Sequence, residues 1–436
     1  MFDRKATLRL FWPVFVEQAF AVTINFLATV MVRSVSEDAM AGVGLVGILN
    51  FLVMNAFSAV AAGVSVVVSQ CVGRGDHSGA GRAGSQSVML TLYLSVGVGG
   101  TMALLSRPLL GVLFGGSEAA VLDAAHVFFV WSCLSVPLLA LFSTLSGIAR
   151  STGNVRLPMF CSVLSNVAYV LVAALCIHGL GMGVAGAGAA MAVSRLVPAL
   201  LMSLLVFRGR GGVFLSRFSL KLSGAVLRPV LKIAVPSGVD SLIFNGGKLL
   251  VNVFLSGMGT PVIAANAIVS NLATALNLPG TTLQTIGVTM VGQIYGKGDA
   301  QGARRQMTRL TLGGMAAIAV LSAGMALALG PLIRLFDPSP ETALAARNVM
   351  LMVLATTALF WPASFIAPQT LRACSDAMFT MWVSIVSMAL VRVAGSWLLG
   401  VHFGMGLMGI WLSMALDWVF RGAFFVPRML RVGRKE

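Results

Sequence analysis

The chain contains one module twice. Leu231–Arg305 lies on Leu8–Arg82 at a constant offset of 223 residues without a gap: Pro13 falls on Pro236, Val16 on Val239, Glu17 on Asp240 and Leu27 on Leu250. Further along, Gln70-Cys-Val-Gly-Arg-Gly-Asp76 falls on Gln293-Ile-Tyr-Gly-Lys-Gly-Asp299, and Gly79, Ala80 and Arg82 meet Gly302, Ala303 and Arg305. The register survives into later segments. Arg150-Ser-Thr-Gly-Asn154 lies on Arg372-Ala-Cys-Ser-Asp376 at an offset of 222, and Gly183-Val-Ala-Gly186 on Gly406-Leu-Met-Gly409 at 223. An ungapped register that matches prolines, glycines and acids marks an internal duplication. Any fold for this chain has to be buildable from two copies.

Composition decides what the module is made of. Of 436 residues, 58% are apolar and 10% charged, with a mean hydropathy of +0.93. A soluble chain carries about 25% charged residues. Here apolar runs of about 20 residues recur, the length of a membrane-spanning helix, without the short alternation of barrel strands. No cleavable signal peptide is expected, because Met1–Leu10 is short and charged and the apolar run after it is of full membrane length. The net charge of +16 would suggest nucleic acid in a soluble protein. In a membrane protein the placement of Lys and Arg matters more, and no nucleic-acid partner is expected. Cys71, Cys133, Cys161, Cys176 and Cys374 have no paired or metal-like spacing and read as core filler.

Twelve spans are expected, over residues 10–32, 43–69, 86–106, 124–147, 158–178, 184–207, 229–256, 262–292, 308–330, 347–368, 379–400 and 406–427. Basic residues crowd one set of loops: Arg4/Lys5/Arg9, Arg74/Arg82, Arg150/Arg156, the 208–232 cluster, Lys297/Arg304/Arg305/Arg309, Arg372 and the C-terminal group. The alternate loops hold only Arg33, Arg107, Arg334 and Arg347. That asymmetry predicts both termini in the cytoplasm of a multi-pass inner-membrane protein. The expected fold is all-α, two six-helix lobes at 1–207 and 229–436 joined by a basic linker at 208–228. Six spans per copy is even, so the repeat is parallel.

A charge at the bilayer centre costs about 2.5–3.5 kcal/mol on insertion scales, so intramembrane charges face protein or water. Those expected here are Glu17, Asp240, Lys248, Arg195, Arg392 and Asp417, with Arg33, Asp376 and Arg421 nearer the ends. Ser241, Asn245, Lys248 and Asn252 share one face of span seven, with Asp240 on its edge. The same face of span one holds Gln18, Val22, Asn25 and Thr29, edged by Glu17. Two readings stay open: interhelical hydrogen bonding, or the walls of a central cleft. An acid four residues after a proline in each copy favours the cleft, since proline frees a carbonyl beside a carboxylate. Asp417 and Arg421, one turn apart, read as a self-neutralised pair. Lys248 could neutralise an acid on a neighbouring helix, Arg195 and Arg392 could pair with acids across helices, and Asn277-Leu-Pro-Gly280 is expected to break span eight, with Pro362 and Pro368 flanking a bend in span ten. His77, His126, His178 and His402 show no metal-ligand spacing, and there is no Asp-rich run or P-loop, so neither an enzyme nor an ATP-driven pump is expected, and no metal or cofactor.

With these residues in place, the chain resembles the multidrug and toxic compound extrusion (MATE) family over essentially its whole length. The carriers are Pro13–Gln18, the turn at 69–76 and its twin at 292–299, Ser146–Asn154, Gly181–Gly186, Leu371–Asp376 and Gly409-Ile-Trp-Leu412. The resemblance implies sodium- or proton-coupled antiport of bulky, often cationic, amphiphiles. It implies a C-lobe cation site at Asp376, the acid after the arginine motif. The family's seventh-span glutamate would fall near Phe244, one turn after Asp240; its first-span acid falls on Ala28, and its fifth-span Asn and Asp on Tyr169 and Ala173, with Asn166 retained. The usual N-lobe acid cluster is therefore absent. Coupling is expected at Asp240 and Asp376, with Glu17 as the N-lobe substitute, and polar cleft residues at Gln18, Asn25, Thr29, Asn166, Ser241, Asn245, Lys248 and Asn252.

The function expected is efflux of hydrophobic organic cations by a protein acting as a monomer. Flipping of a lipid-linked precursor is the alternative. An anionic headgroup wants a strongly basic cavity, and here intramembrane bases are few and matched by acids. A receptor or scaffold that transports nothing is the third reading.

Overall fold

The computed structural model describes the backbone of residues 3–33, 37–116, 118–209, 211–212 and 221–433, and their side chains except at 4, 22–33, 37–39 and 178. Among the described residues all regular structure is helical: Arg4–Arg33 (α1), Glu37–Arg74 (α2), His77–Leu104 (α3), Ser106–Phe114 (α4), Ala119–Ser151 (α5), Arg156–Ala173 (α6) and Gly183–Phe207 (α7). The second half adds Gly224–Ser256 (α8), Thr260–Gly296 (α9), Ala300–Leu327 (α10), Leu329–Arg334 (α11), Pro340–Ala373 (α12), Ala377–Val386 (α13) and Gly406–Arg431 (α14). α6 continues as a π-helical end at Ala174–Gly179, and α13 continues through π-helical segments at Ser387–Ala394 and Trp397–His402.

Ten of the helical segments are long and apolar enough to cross a membrane. The most apolar window of Arg156–Ile177 has a mean hydropathy of 2.2, yet only 22% of it is buried. Apolar surface on that scale, facing outward, needs hydrocarbon around it. The two long helices outside this set are α1, much of whose side-chain detail lies outside the described residues, and α8, which Asp240, Asn245, Lys248 and Asn252 interrupt.

The chain divides into two compact units, one at Leu8–Gly238 and one joining Met1–Thr7 to Val239–Glu436. Of the linker expected at 208–228, residues 210 and 213–220 lie outside the described residues. In the Leu8–Gly238 unit, Val64 and Val68 of α2, Ala80 of α3, Leu145 and Ile148 of α5 and Met202 of α7 form one buried cluster. In the other unit Ile286 and Met290 of α9, Met307 and Ile318 of α10, Met350 and Ile366 of α12 and Phe425 of α14 are all less than 2% exposed. Lipid offers no hydrophobic drive for helix association, so such contacts hold by close packing.

Two local motifs recur in each unit and explain the repeated glycines. At the first, Gly75 (φ +78°) and Gly298 (φ +82°) end α2 and α9 in a left-handed conformation that a side chain rarely adopts. Asp76 and Asp299 then cap α3 and α10, each accepting the amide of Gly79 or Gly302 at 2.7 Å. At the second, the π-helical ends 174–179 and 397–402 lead into Gly181 and Gly183 (φ +63° and +56°) and into Gly404 and Gly406 (φ +68° and +57°). Gly186 and Gly409 then lie so close to that π turn that a Cβ would meet the carbonyl oxygen of Cys176 at 3.1 Å or of Leu399 at 2.6 Å.

One sequence expectation needs correction. The Asn277–Gly280 stretch does not break its helix, because α9 runs from Thr260 to Gly296 with Pro279 inside it. Gly280 serves packing instead: a Cβ there would stand 2.2 Å from the Trp361 indole. Pro362 and Pro368, expected to flank a bend, both lie within the single helix α12.

Candidate functional site

The acids that come after the repeated prolines do not stand alone. Glu17 of α1 is 8% exposed, and its Oε1 accepts from Arg150 Nη2 at 2.5 Å. Asp240 of α8 is ion-paired through Oδ2 to Arg372 Nη2, and Arg372 Nε also donates to Thr380 Oγ1 at 3.0 Å. Arg150 and Arg372 occupy the last turns of α5 and α12, where the helix dipole favours a cation. A buried carboxylate left without its partner would be costly, and each arginine supplies that partner. One oxygen of each acid, Glu17 Oε2 and Asp240 Oδ1, is buried without a hydrogen-bond donor among the described residues.

Asp376 sits at the start of α13 and accepts from Arg428 Nε at 2.7 Å. This pair is more open, with side chains 25% and 48% exposed, and the Arg428 guanidinium lies 5.1 Å from the Phe379 ring centroid.

A cavity of about 310 Å³ lies within the Val239–Glu436 unit, in the size range of small-molecule sites. Its walls come from α8 (Phe244, Lys248, Asn252), α9 (Asn266, Ser270, Asn277), α12 (Trp361, Phe365), the π segment of α13 (Arg392) and α14 (Trp411, Trp418). Trp361 and Phe365 stack at 4.8 Å, and Trp411 Nε1 donates to Asn266 Oδ1 at 3.0 Å. Three cations surround the Phe244 ring: Lys248 Nζ at 4.8 Å, Arg392 Cζ at 5.1 Å and Arg421 Cζ at 5.2 Å from its centroid. Behind them Asp417, fully buried, meets Arg392 Nε at 3.3 Å and Arg421 Nε at 3.1 Å and accepts from Ser387 Oγ. Lys248 has no carboxylate at ion-pair distance among the described residues.

The residues singled out from sequence scatter over these features. Lys248 and Asn252 line the cavity, whereas Asn245 turns its amide back to Ser241 O at 2.8 Å, within its own helix. Glu17, Asp240 and Asp376 stand in ion pairs and do not line the cavity. Gln18 on α1 and Asn166 on α6 are half-buried, and the side chains of Asn25 and Thr29 lie outside the described residues. The Asp417–Arg421 pair forms as the one-turn spacing expects, and Arg392 joins it. Arg195 meets Ser135 Oγ at 2.7 Å. Sequence reasoning missed Arg150 and Arg372 as partners, although a signal was available. Offsets of 223 and 222 make twins of the two acids and of the two arginines, and twins pair alike.

Comparison with known proteins bears on both halves of the chain. The uncharacterized transporter YisQ of Bacillus subtilis is 26% identical over 434 residues, covering 96% of this chain and 92% of that protein. The probable multidrug resistance protein NorM of Thermotoga maritima is 23% identical over 433 residues, covering 96% and 90%. A crystal structure of a MATE protein in the bent conformation superimposes with a TM-score of 0.90 at 18% identity, over 98% of this chain and 95% of that one. The MatE family model matches residues 13–175 and again 236–398, starting at the twin prolines Pro13 and Pro236. The chain belongs to the MatE family of transporters.

Proposed function

We propose that this protein is a secondary active exporter of small amphiphiles, driven by antiport of sodium or protons. The observation that carries the reading is the match of one transporter family model to both halves of the chain. The relatives called multidrug resistance proteins point the same way. In this reading twelve spans form two lobes, 1–207 and 229–436, joined by 208–228, with both termini in the cytoplasm of the inner membrane and one chain forming the whole pathway.

Coupling falls to the carboxylates. Glu17 and Asp240 each meet an arginine through one oxygen, while the other oxygen of each, buried without a donor among the described residues, gives a proton or sodium ion a place to compete with the guanidinium. Asp376, paired to the half-exposed Arg428, is the most accessible of the three. A ligand that favours a released carboxylate and a substrate that favours the paired one would be linked reciprocally, which is the thermodynamic content of antiport.

Flipping of a lipid-linked anion is the second reading, favoured by Lys248 and Arg392 on the cavity wall. Deleting the gene separates the two. Export predicts greater sensitivity to amphiphilic toxicants with normal envelope precursors, and flipping predicts precursor accumulation. Neither phenotype, with the protein verified in the membrane of the parent strain, would leave a non-transporting receptor or scaffold.

A further inference from the structure

The geometry points to an amphiphile with an anionic head on a flat apolar body as the ligand of the Val239–Glu436 cavity. This assignment rests on the transporter reading and names the chemistry of what is carried.

Charge comes first. Lys248, Arg392 and Arg421 surround Phe244, and Asp417 is the carboxylate that meets this group. Three cations against one carboxylate leave two positive charges. Asp417 is fully buried behind the wall, whereas Lys248 and Arg392 line the cavity. Asp240, the acid of this unit's opening helix that would attract an organic cation, is paired to Arg372 and is not among the residues lining the cavity. An organic cation here would meet like charge in a medium that screens poorly.

The repeat shows that the fold itself does not demand the cluster. The capping aspartates, the glycine turns and the acid–arginine pairs all occur in both units. At the offset of 223, however, Phe244, Lys248, Arg392, Asp417 and Arg421 correspond to Ala21, Asn25, Tyr169, Ser194 and Pro198, none of them charged at neutral pH. One copy of the module folds without these charges. Ionisable groups retained at membrane depth without a scaffold role mark a ligand path.

The walls describe the rest of the ligand. Trp361, stacked on Phe365, and Trp411 give flat apolar faces. Trp418 Nε1 is buried with no acceptor among the described residues, so it offers a further donor beside the cations. The anion, a carboxylate, sulfonate or phosphate, could belong to a free amphiphile or to a lipid headgroup.

The test compares two dyes of one three-ring skeleton, anionic fluorescein and a cationic rhodamine, binding to the purified full-length protein in neutral detergent. Wild type should prefer fluorescein by roughly ten-fold or more, and Lys248→Gln should weaken fluorescein binding by about ten-fold. Lys248 serves better than Arg392, whose loss would leave Asp417 with a single cation. Asn252→Asp, which brings a carboxylate to the same wall, is the second variant and should shift the preference toward rhodamine. A parallel arm tracks headgroup-labelled phosphatidylglycerol across reconstituted vesicles. Movement that drops with Lys248→Gln supports a lipid source, and dye selectivity that drops with it supports a free amphiphile. Equal or tighter rhodamine binding by wild type together with lipid movement indifferent to Lys248→Gln overturns the assignment, as does failure of both variants to change either assay. Binding needs no gradient. Charge-selective binding without gradient-driven export would therefore sink the transport reading and leave this one standing.

Discussion

Asp240 is ion-paired to Arg372, and Glu17 is joined to Arg150 at 2.5 Å in the same arrangement one repeat earlier. Each pair ties the helix that opens its half of the duplication to the end of a long helix bearing the arginine motif. Removing one partner of such a buried pair strands the other charge, at a cost of about 3–5 kcal/mol. Asp240→Asn should accordingly lower the apparent melting temperature in detergent sharply. Adding Arg372→Gln should restore much of it, because the stranded guanidinium is then gone. A double variant less stable than either single variant would show that the pair is not the relevant contact.

Asp376 separates stability from coupling. Its pair with Arg428 is partly exposed, and exposed pairs contribute about 0–1 kcal/mol. Asp376→Asn should leave the melting temperature nearly unchanged while abolishing the ion dependence of transport, read in vesicles under separate sodium and pH gradients. Retained ion dependence would move coupling to Asp240 or Glu17.

Gly280→Ala inserts a methyl where Trp361 leaves no room. Overpacking of this kind costs about 1–3 kcal/mol, and here it also displaces a cavity wall. The variant should melt lower and bind dye more weakly, whereas Gly313→Ala, at a position with open space around it, should do neither.

The helix caps carry a pH signature. The backbone amide of Gly79, then the Ser78 hydroxyl, hold the Asp76 carboxyl below the usual carboxylate range. A carboxyl lowered on folding adds stability above its free pKa of about 3.9 and loses it as pH falls through the lowered value. Asp76→Ala should therefore melt below wild type at neutral pH, and the gap should close in acid. Its twin change Asp299→Ala, which removes the other cap, should cost about 1 kcal/mol at neutral pH.

Much of this molecule is legible in its sequence because the duplication writes the same turns twice. The Gly-x-Gly-Asp junctions and the glycine turns that follow the π-helical ends are legible in residue types, since glycine adopts the left-handed backbone most readily and an aspartate caps the next helix. Lys248 and Asn252, which helical spacing puts on one face, both line the cavity, and Asp417 pairs with Arg421 at the one-turn spacing. What sequence could not supply was which helices touch. Counting intramembrane acids against bases suggested balance, but the acids are consumed by Arg150, Arg372 and the Arg392–Arg421 pair. The charge left over gathers around Phe244, where three separate segments of the chain meet. Pro279-Gly280 misled for a related reason: locally it reads as a break, and only the Trp361 ring against it explains the glycine.

The most direct test of the account is efflux from proteoliposomes containing the purified chain, with sodium and proton gradients imposed one at a time. Antiport predicts that one gradient alone drives an amphiphile against its concentration and that collapsing that gradient stops it. Movement only down the substrate's own gradient, indifferent to both ions, would contradict it.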